Sequence, residues 1–410
     1  MQYWADLHLH SHYAMATSKD ATPEQLVFWA RRKGLTLIGT GDLTHPGWRA
    51  ELQAKLEEAE DGLWRLKSAY HLPAGSDLPA APIVRFVLTG EVCTIYKKAG
   101  KTRKVHHLIL LPHFEAAERL ANRLDPYGKL SSNGRPILKL DSRDLLAMVL
   151  EVAPEAVLIP AHIWTPHYSV FGMHTGFNSL EECYGDLASE IHAVETGLSS
   201  DPAMNRQLSI LDDYALVSNS DAHSPAKLAR EATLFAIELS FSGLRRALRR
   251  PFPGLLGTVE FFPEEGKYHW DGHRACGIRW SPQQTMRAGG KCPVCGRRVT
   301  VGVLHRVAVL ADRAEEGQPS TARPAERLLA LTKIIAEAKR VGEGTKKVQR
   351  CYDQLLAAHG PELSILREIP LSALAETAGA RVAEGIRRVR EGLLKVTPGY
   401  DGVYGAVEIF

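Results

Sequence analysis

A chain of 410 residues, 45% hydrophobic and 24% charged, has room for two or three domains around a large core, and this balance excludes a disordered or fibrous protein. Its formal net charge of +3 is mildly basic, which fits a nucleic-acid partner without requiring one. No apolar run approaches the ~20 residues of a membrane span and Met1 leads directly into a strand, so the sequence points to a cytoplasmic protein without signal peptide or membrane partner.

Taken in order, the chain opens with a strand ending in Asp6-Leu7-His8-Leu9-His10-Ser11. In a strand, alternation puts Asp6, His8 and His10 on one face, so two imidazoles can reach one metal ion with a carboxylate behind them. A helix over Pro23–Lys33 follows, capped by Thr22 and stopped by Gly34. The run from Leu35 ends on Asp42, Trp48–Tyr70 has the pattern of a long amphipathic helix, and Ile83–Thr89 is a strand ending on Glu91. Lys97–Lys104 forms a basic turn around Gly100, and Val105–Leu111 returns as a strand carrying His106 and His107. Further apolar runs lead to His162, to Glu195, and to Asp221 and His223, with helical stretches between them. A long loop after His162 carries Trp164, His167 and His174.

Short apolar strands separated by helices are the signature of βα units, and a βα-barrel keeps its site at the carboxyl ends of the strands. His8, His10, Asp42, Glu91, His162, Glu195, Asp221 and His223 all fall at such ends. A mixed nitrogen and oxygen ligand set suits zinc, manganese or iron rather than calcium. A carboxylate such as Glu91 can bridge two ions about 3.5–4 Å apart, the arrangement that hydrolyses phosphate esters. No Ser-His-Asp or Cys-His arrangement offers an alternative nucleophile. Glu195 reads equally as a barrel salt-bridge partner, and His167 and His174 as solvated loop residues or substrate contacts.

The ordered set DLHLHS at 6–11, TGD at 40–42, Glu91, HHL at 106–108, AH at 161–162 and SDAH at 220–223 resembles the PHP (polymerase and histidinol phosphatase) superfamily of metal-dependent phosphoesterases. The resemblance implies a distorted (β/α)7 barrel. It also implies one ion on His8, His10, Glu91 and Asp221, and a second on Glu91, His107 and His162. His223 would serve a third ion, with Glu91, Asp221 and His223 closest to the chemistry. For the third ion the sequence departs from the pattern: Leu43 stands where many relatives have a histidine, and Asp42, His45 or Asp20 are the substitutes. The choice of His107 over His106 rests on its place directly before the leucine.

From about Glu264 the composition changes. His273 and Cys276, then Cys292 and Cys295, each bracket two residues and together have the spacing of a four-ligand structural zinc site, with His269 as the rival histidine. Cys93, Cys183 and Cys351 are scattered and suit small core positions. Arg274 and Arg279 belong to a basic knuckle able to meet phosphate. Glu315–Arg323 is a polar linker, and Pro324–Val341, Thr345–His359 and Leu371–Lys395 are three expected helices with Lys333, Arg387, Arg388 and Arg390 among their basic residues. Gln207–Leu211 faintly matches a sliding-clamp peptide but suits a core-facing helix better.

The expected organisation is a PHP barrel over 1–262, a zinc finger over 263–312 and a basic helical DNA-binding region over 313–410. A barrel, a His-Cys/Cys-Cys finger and a basic tail in that order resemble the endonuclease Q subfamily, as do THPGW at 44–48, HIWTPH at 162–167, GVLHR at 302–306 and PGYDGVYG at 398–405. That resemblance implies cleavage of the DNA phosphodiester 5′ to uracil, hypoxanthine, xanthine or an abasic site by metal-activated water, leaving 3′-hydroxyl and 5′-phosphate. Two barrel ions (zinc, manganese or magnesium), with a third in question, and one structural zinc would serve it. His45, Trp164, His167, His174, Glu195, Arg274 and Arg279 are the candidate substrate contacts. The rival readings are a small-molecule phosphomonoesterase and a non-catalytic zinc-finger DNA binder.

Overall fold

The computed structural model describes residues 1–72, 78, 82–313 and 322–410. Its strands in chain order begin with β1 (Gln2–Asp6), β2 (Leu35–Gly39), β3 (Leu56–Glu58), β4 (Trp64–Leu66), β5 (Arg85–Lys98) and β6 (Lys101–Leu111). They continue with β7 (Ile137–Leu138), β8 (Val157–Pro160), β9 (Ala193–Glu195), β10 (Ala215–Val217), β11 (Ala232–Ala236) and β12 (Leu255–Glu260). β1, β2 and β5 are parallel neighbours, while β6 runs antiparallel to both β5 and β8, and β11 antiparallel to β1. β9 and β10 form their own parallel pair. The ring closes where Leu9 bridges Ala222 and the Leu7 amide donates to the Asn219 side chain. This is the expected barrel, and its distortion lies in the reversed strands.

Two apolar layers follow from strand alternation. Ala5, Leu7, Leu37, Val87, Leu108, Leu110, Val157, Ile159, Ala193, Ala215, Val217 and Phe235 pack together inside the ring. The opposite faces of the strands, with Ile38, Phe86, Leu88, Ile109, Leu111 and Leu158, pack under the surrounding helices.

Several elements differ from the sequence reading. The helix expected over Trp48–Tyr70 covers Pro46–Lys55, after which β3 and β4 form a hairpin docked on β5 through Trp64 and Phe86. Gly62 lies in the turn of this hairpin: its φ is +66°, and a Cβ there would lie 2.4 Å from the Phe241 side chain. The strand expected to end on Glu91 runs on to Lys98. The Ala99-Gly100 turn, with φ of 50° and 73°, folds β6 back on it, so Glu91 sits mid-strand. In the third segment, β15 (Ala325–Arg327) pairs parallel to β12 and extends the barrel sheet, so the helix expected from Pro324 begins at Leu331. The Leu371–Lys395 helix is two, Leu371–Ala378 and Ala380–Arg390, parted by Gly379 at φ +95°. A helix over Glu362–Arg367 was not expected. Apart from 322 and 323, the linker Glu315–Arg323 lies outside the described residues.

The last helices pack into the same outer core as the barrel. Lys33 of the helix Pro23–Lys33 is held by buried Glu362, which also accepts from the Tyr352 hydroxyl and the Leu331 amide. Four of the basic residues expected to grip DNA are paired within this region, while Lys346, Lys347 and Arg350 stand exposed. The Arg390 guanidinium donates to the carbonyls of Ile365, Leu366 and Ile369, Arg387 and Arg388 pair with Glu384, and Lys333 pairs with Glu265. In the finger, β13 (Asp271–His273) and β14 (Ile278–Trp280) form a hairpin, and Lys291 bridges Arg298 around the second turn. The PGYDGVYG segment latches onto it, with Asp401 accepting from the Arg274 amide and the Thr300 hydroxyl. No helix among the described residues is long and apolar enough to cross a membrane.

Candidate metal and active site

His8 and His10 leave β1 on the face that looks into the barrel mouth, and both are buried. His8 donates from Nδ1 to Glu195 at 3.0 Å, and His10 from Nδ1 to Asp42 Oδ1 at 2.9 Å. A carboxylate accepting at Nδ1 fixes the tautomer with Nε2 unprotonated and available. Both Nε2 atoms, and Asp221 Oδ1, are buried without a hydrogen-bond partner. They face one another: His10 Nε2 lies 3.1 Å from Asp221 Oδ1 and 3.2 Å from Glu91 Oε2, and His8 Nε2 lies 3.4 Å from Glu91 Oε2. Buried polar atoms left unpaired in a ring of donors are costly unless a cation joins them, so this set fits a metal ion.

Glu91 turns its other oxygen to a second group. Oε1 lies 2.6 Å from His106 Nδ1 and 3.2 Å from His162 Nε2. Glu91, His106 and His162 form one ligand set, and His8, His10, Glu91 and Asp221 form another. A single buried carboxylate therefore spans both. Burial works against its charge, but His106, His8 and His10 hold its pKa well below the usual carboxylate range.

The expectation for His107 is corrected. On β6, His106 shares a face with Leu108 and Leu110 of the inner core, so His107 points outward, where Thr94 Oγ1 and the Tyr184 hydroxyl hold its two ring nitrogens at 3.1 and 2.9 Å. Burial pushes the His107 pKa down to about 3, as expected of a neutral, internally satisfied ring.

Asp42 and Glu195 also differ from their expected roles. Asp42 spends Oδ2 on the Ser11 amide and hydroxyl, both at 2.6 Å, so it orients His10 rather than offering a free ligand oxygen. Glu195, fully buried behind His8, accepts from the Asn219 amide group and the His162 backbone N–H, each at 2.8 Å, and cannot touch substrate. Asp6 reaches neither histidine. It accepts from the Ser220 and Ala229 amides and pins the turn that carries Asp221, with burial raising its pKa to about 6. Asp42, His162 and Asp221 all have φ between 32° and 50°, and the backbone strain at three strand ends is concentrated at this site. Gly197 makes room for His162, since a Cβ there would lie 2.3 Å from the histidine's own Cβ.

His223 stands outside both sets, its ring 4.5 Å from that of His10 and its Nδ1 donating to the Asp221 carbonyl at 2.9 Å. Trp164 is not a substrate contact: it is buried, stacks on Phe171 and donates to Asn205. His45 caps the helix Pro46–Lys55 by accepting the Trp48 amide, donates to the Ser131 carbonyl and packs on Tyr13, which leaves it buried beneath the mouth. His167 and His174 are exposed on the loop and stacked 4.5 Å apart. Arg306 ties that loop to the finger's helix Val303–Leu310 through the carbonyls of Phe171 and Phe177.

Sequence reasoning missed Arg135. Its guanidinium donates to Glu91 Oε2 at 3.0 Å from a loop over the mouth. A lone arginine in a polar loop carries no signal of its own in one sequence.

In the finger, His273, Cys276, Cys292 and Cys295 converge, with His273 Nδ1 3.8 Å from Cys295 Sγ. His269 lies apart, buried, and burial lowers its pKa. Four sulfur and nitrogen ligands on two tight turns fit a metal ion of the zinc type. Arg274 and Arg279 are exposed beside it. The clamp-like stretch Gln207–Leu211 has Leu208 and Leu211 buried and is unavailable as a docking peptide.

A barrel whose mouth gathers histidines around one shared carboxylate is that of the metal-dependent PHP phosphoesterases. Among solved structures, the chain matches that of the lesion-specific endonuclease PfuEndoQ from Pyrococcus furiosus at 30% identity and a TM-score of 0.86, over 100% of this chain and 95% of that one. It likewise matches endonuclease Q in complex with a 27-mer duplex bearing an abasic lesion at the active site, at 31% identity and TM-score 0.84, over 100% and 97% of the two chains. The chain belongs to the endonuclease Q family. The uncharacterized protein YqxK of Bacillus subtilis is 27% identical over 421 residues, 99% of both chains. The uncharacterized protein MJ0043 of Methanocaldococcus jannaschii is 30% identical over 243 residues, and the match spans 57% of this chain but only 30% of that protein. Residues 330–393 match the family model described as the MJ0043 C-terminal domain.

Proposed function

We propose that this protein is a DNA repair endonuclease that hydrolyses the phosphodiester 5′ to a deaminated base or an abasic site, leaving 3′-hydroxyl and 5′-phosphate ends. The observation that carries the reading is the ring of unpartnered buried atoms, His8 Nε2, His10 Nε2 and Asp221 Oδ1, facing a carboxylate that also serves His106 and His162. The relatives that cover nearly the whole chain include a lesion-specific nuclease and a complex with a lesion duplex.

His8, His10, Glu91 and Asp221 would hold one divalent ion, and Glu91, His106 and His162 a second. His223 and the open face of Asp221 are the groups left for a third. Bound there, divalent ions supply hydroxide from water near neutral pH and neutralise charge on the phosphate oxygens. Around them, Glu195 and Asp42 keep the unprotonated nitrogens of His8 and His10 pointed inward. In the absence of a third ion, His223 at the mouth would be the group to give a proton to the departing 3′ oxygen. Zinc on His273, Cys276, Cys292 and Cys295 would have a structural role only, because four protein ligands leave no open position. The exposed Arg274 and Arg279 would meet backbone phosphates. Lesion selection would come from extruding the damaged nucleotide, which costs least where pairing is already weak. The exposed His167, His174, Tyr13 and Met15 would be candidate contacts for such a nucleotide.

The test is incubation with manganese or magnesium and four substrates: uracil-containing, abasic and undamaged duplexes, and a generic phosphomonoester. Nicks confined to the first two are expected. Turnover of the monoester alone would make the protein a small-molecule phosphatase, and binding without cleavage would make it a non-catalytic DNA binder.

A further inference from the structure

The most informative group outside the two ligand sets is Arg135, because three independent features of the chain place it over Glu91. β7 pairs with β5 directly beside the site, with Ile137 opposite Cys93 and the Pro136 carbonyl accepting the Cys93 amide at 2.9 Å. In that parallel register residue 135, two before Ile137, falls beside Glu91, two before Cys93. On the other side, the loop is tied to the segment after His10. The Gly134 amide donates to the Tyr13 carbonyl at 3.2 Å, and Asn133 Oδ1 accepts the Met15 amide at 2.9 Å. Between these ties Gly134 rides directly on Asp42, where a Cβ would come within 2.3 Å of the carboxyl carbon. No other residue type fits there, and the close approach brings Arg135 to the mouth.

We propose that Arg135 is a catalytic residue whose guanidinium binds a non-bridging oxygen of the phosphodiester being cleaved; this rests on the diesterase reading above. Its Nη1 lies 3.0 Å from Glu91 Oε2, the oxygen that faces His8 and His10, and the other guanidinium nitrogens have no partner among the described residues. The side chain is 31% exposed, so its free edge looks out of the mouth rather than into the core. A guanidinium presents paired donors in a fork that matches two phosphate oxygens.

Arg135→Ala and Arg135→Lys test this by single-turnover cleavage, metal content and DNA binding. Removing one preorganised donor to a transition-state oxygen costs roughly 10²–10³-fold in rate. That loss is expected for Arg135→Ala, with partial recovery in Arg135→Lys and wild-type metal content in both. For binding, with calcium in place of the catalytic ion, a lesion duplex carrying a neutral methylphosphonate at the scissile position is compared with the normal duplex. The substitution should weaken binding to the wild type by a larger factor than binding to Arg135→Ala, because the ions contact the phosphate in both proteins and the guanidinium only in the wild type. Equal weakening in both proteins, wild-type cleavage by Arg135→Ala, or loss of metal from it would overturn the proposal. A wild-type protein that nicks no lesion duplex would overturn the diesterase reading instead, while the binding comparison still decides the contact.

Discussion

The barrel mouth and the finger both gather histidine with anionic ligands, yet they do so in opposite ways. In the barrel the ligand atoms are buried, share one carboxylate, and are backed by Glu195 and Asp42, which set each ring before any ion arrives. In the finger the ligands are Cys276, Cys292, Cys295 and His273 on two turns that are exposed or half-exposed apart from Cys292. A site held from behind by carboxylates keeps its shape without metal and can leave a coordination position open. A site made of two turns gains its shape from the metal. The contrast separates a centre built for chemistry from one built for folding.

The largest expected effect breaks the barrel side of this contrast. Glu91→Gln and Asp221→Asn should each lower single-turnover nicking of a uracil duplex by more than about 10³-fold, the scale seen when a preorganised electrostatic group is lost. Binding of the same duplex should survive. Next, Cys292→Ser should remove one metal ion per chain and melt the finger locally. Mass spectrometry under native conditions and hydrogen exchange over 271–300 would show this, with the barrel strands still protected. The third test sharpens the assignment within one strand. His106→Ala should lose one barrel ion. His107→Ala should keep both and destabilise the fold by about 1–3 kcal/mol, because Thr94 and Tyr184 lose a buried partner.

The smallest effect is a pH dependence away from both centres. Burial pushes the Glu260 pKa up to about 8, with the Ser218 hydroxyl donating to its carboxylate, and burial beside Glu260 raises Glu231 further. A carboxyl whose folded pKa is raised contributes its stability fully below its unfolded value of 4.5. That contribution fades as pH rises towards the folded value of about 8. Glu260→Gln should therefore raise Tm relative to the wild type at pH 8–9 and have little effect near pH 4.5, as thermal melts across that range would show.

The ligand strand was legible because DLHLHS puts His8 and His10 on one face by alternation alone. The order of strand ends carrying His162 and Asp221 was legible too. The choice between His106 and His107 was not, because β6 is apolar on both faces: Leu108 and Leu110 line the inner core while Ile109 and Leu111 pack under helices. Periodicity has nothing to read when both sides are buried. Asp42 and Glu195 stand at strand ends like ligands, and only their partners show that they act through His10 and His8. β15 was hidden for a different reason, since three residues become a strand only by pairing with β12. Arg135 depends on the pairing of a two-residue strand and on one glycine lying against Asp42, neither of which has a local signature.

The central claim is that Glu91 bridges two metal ions at the barrel mouth. Crystals grown with manganese and measured at its absorption edge test it directly. Two anomalous peaks are expected about 3.5–4 Å apart on either side of Glu91, one among His8, His10 and Asp221 and the other beside His106 and His162. The absence of a peak at Glu91, or a peak at His107 instead, would contradict it.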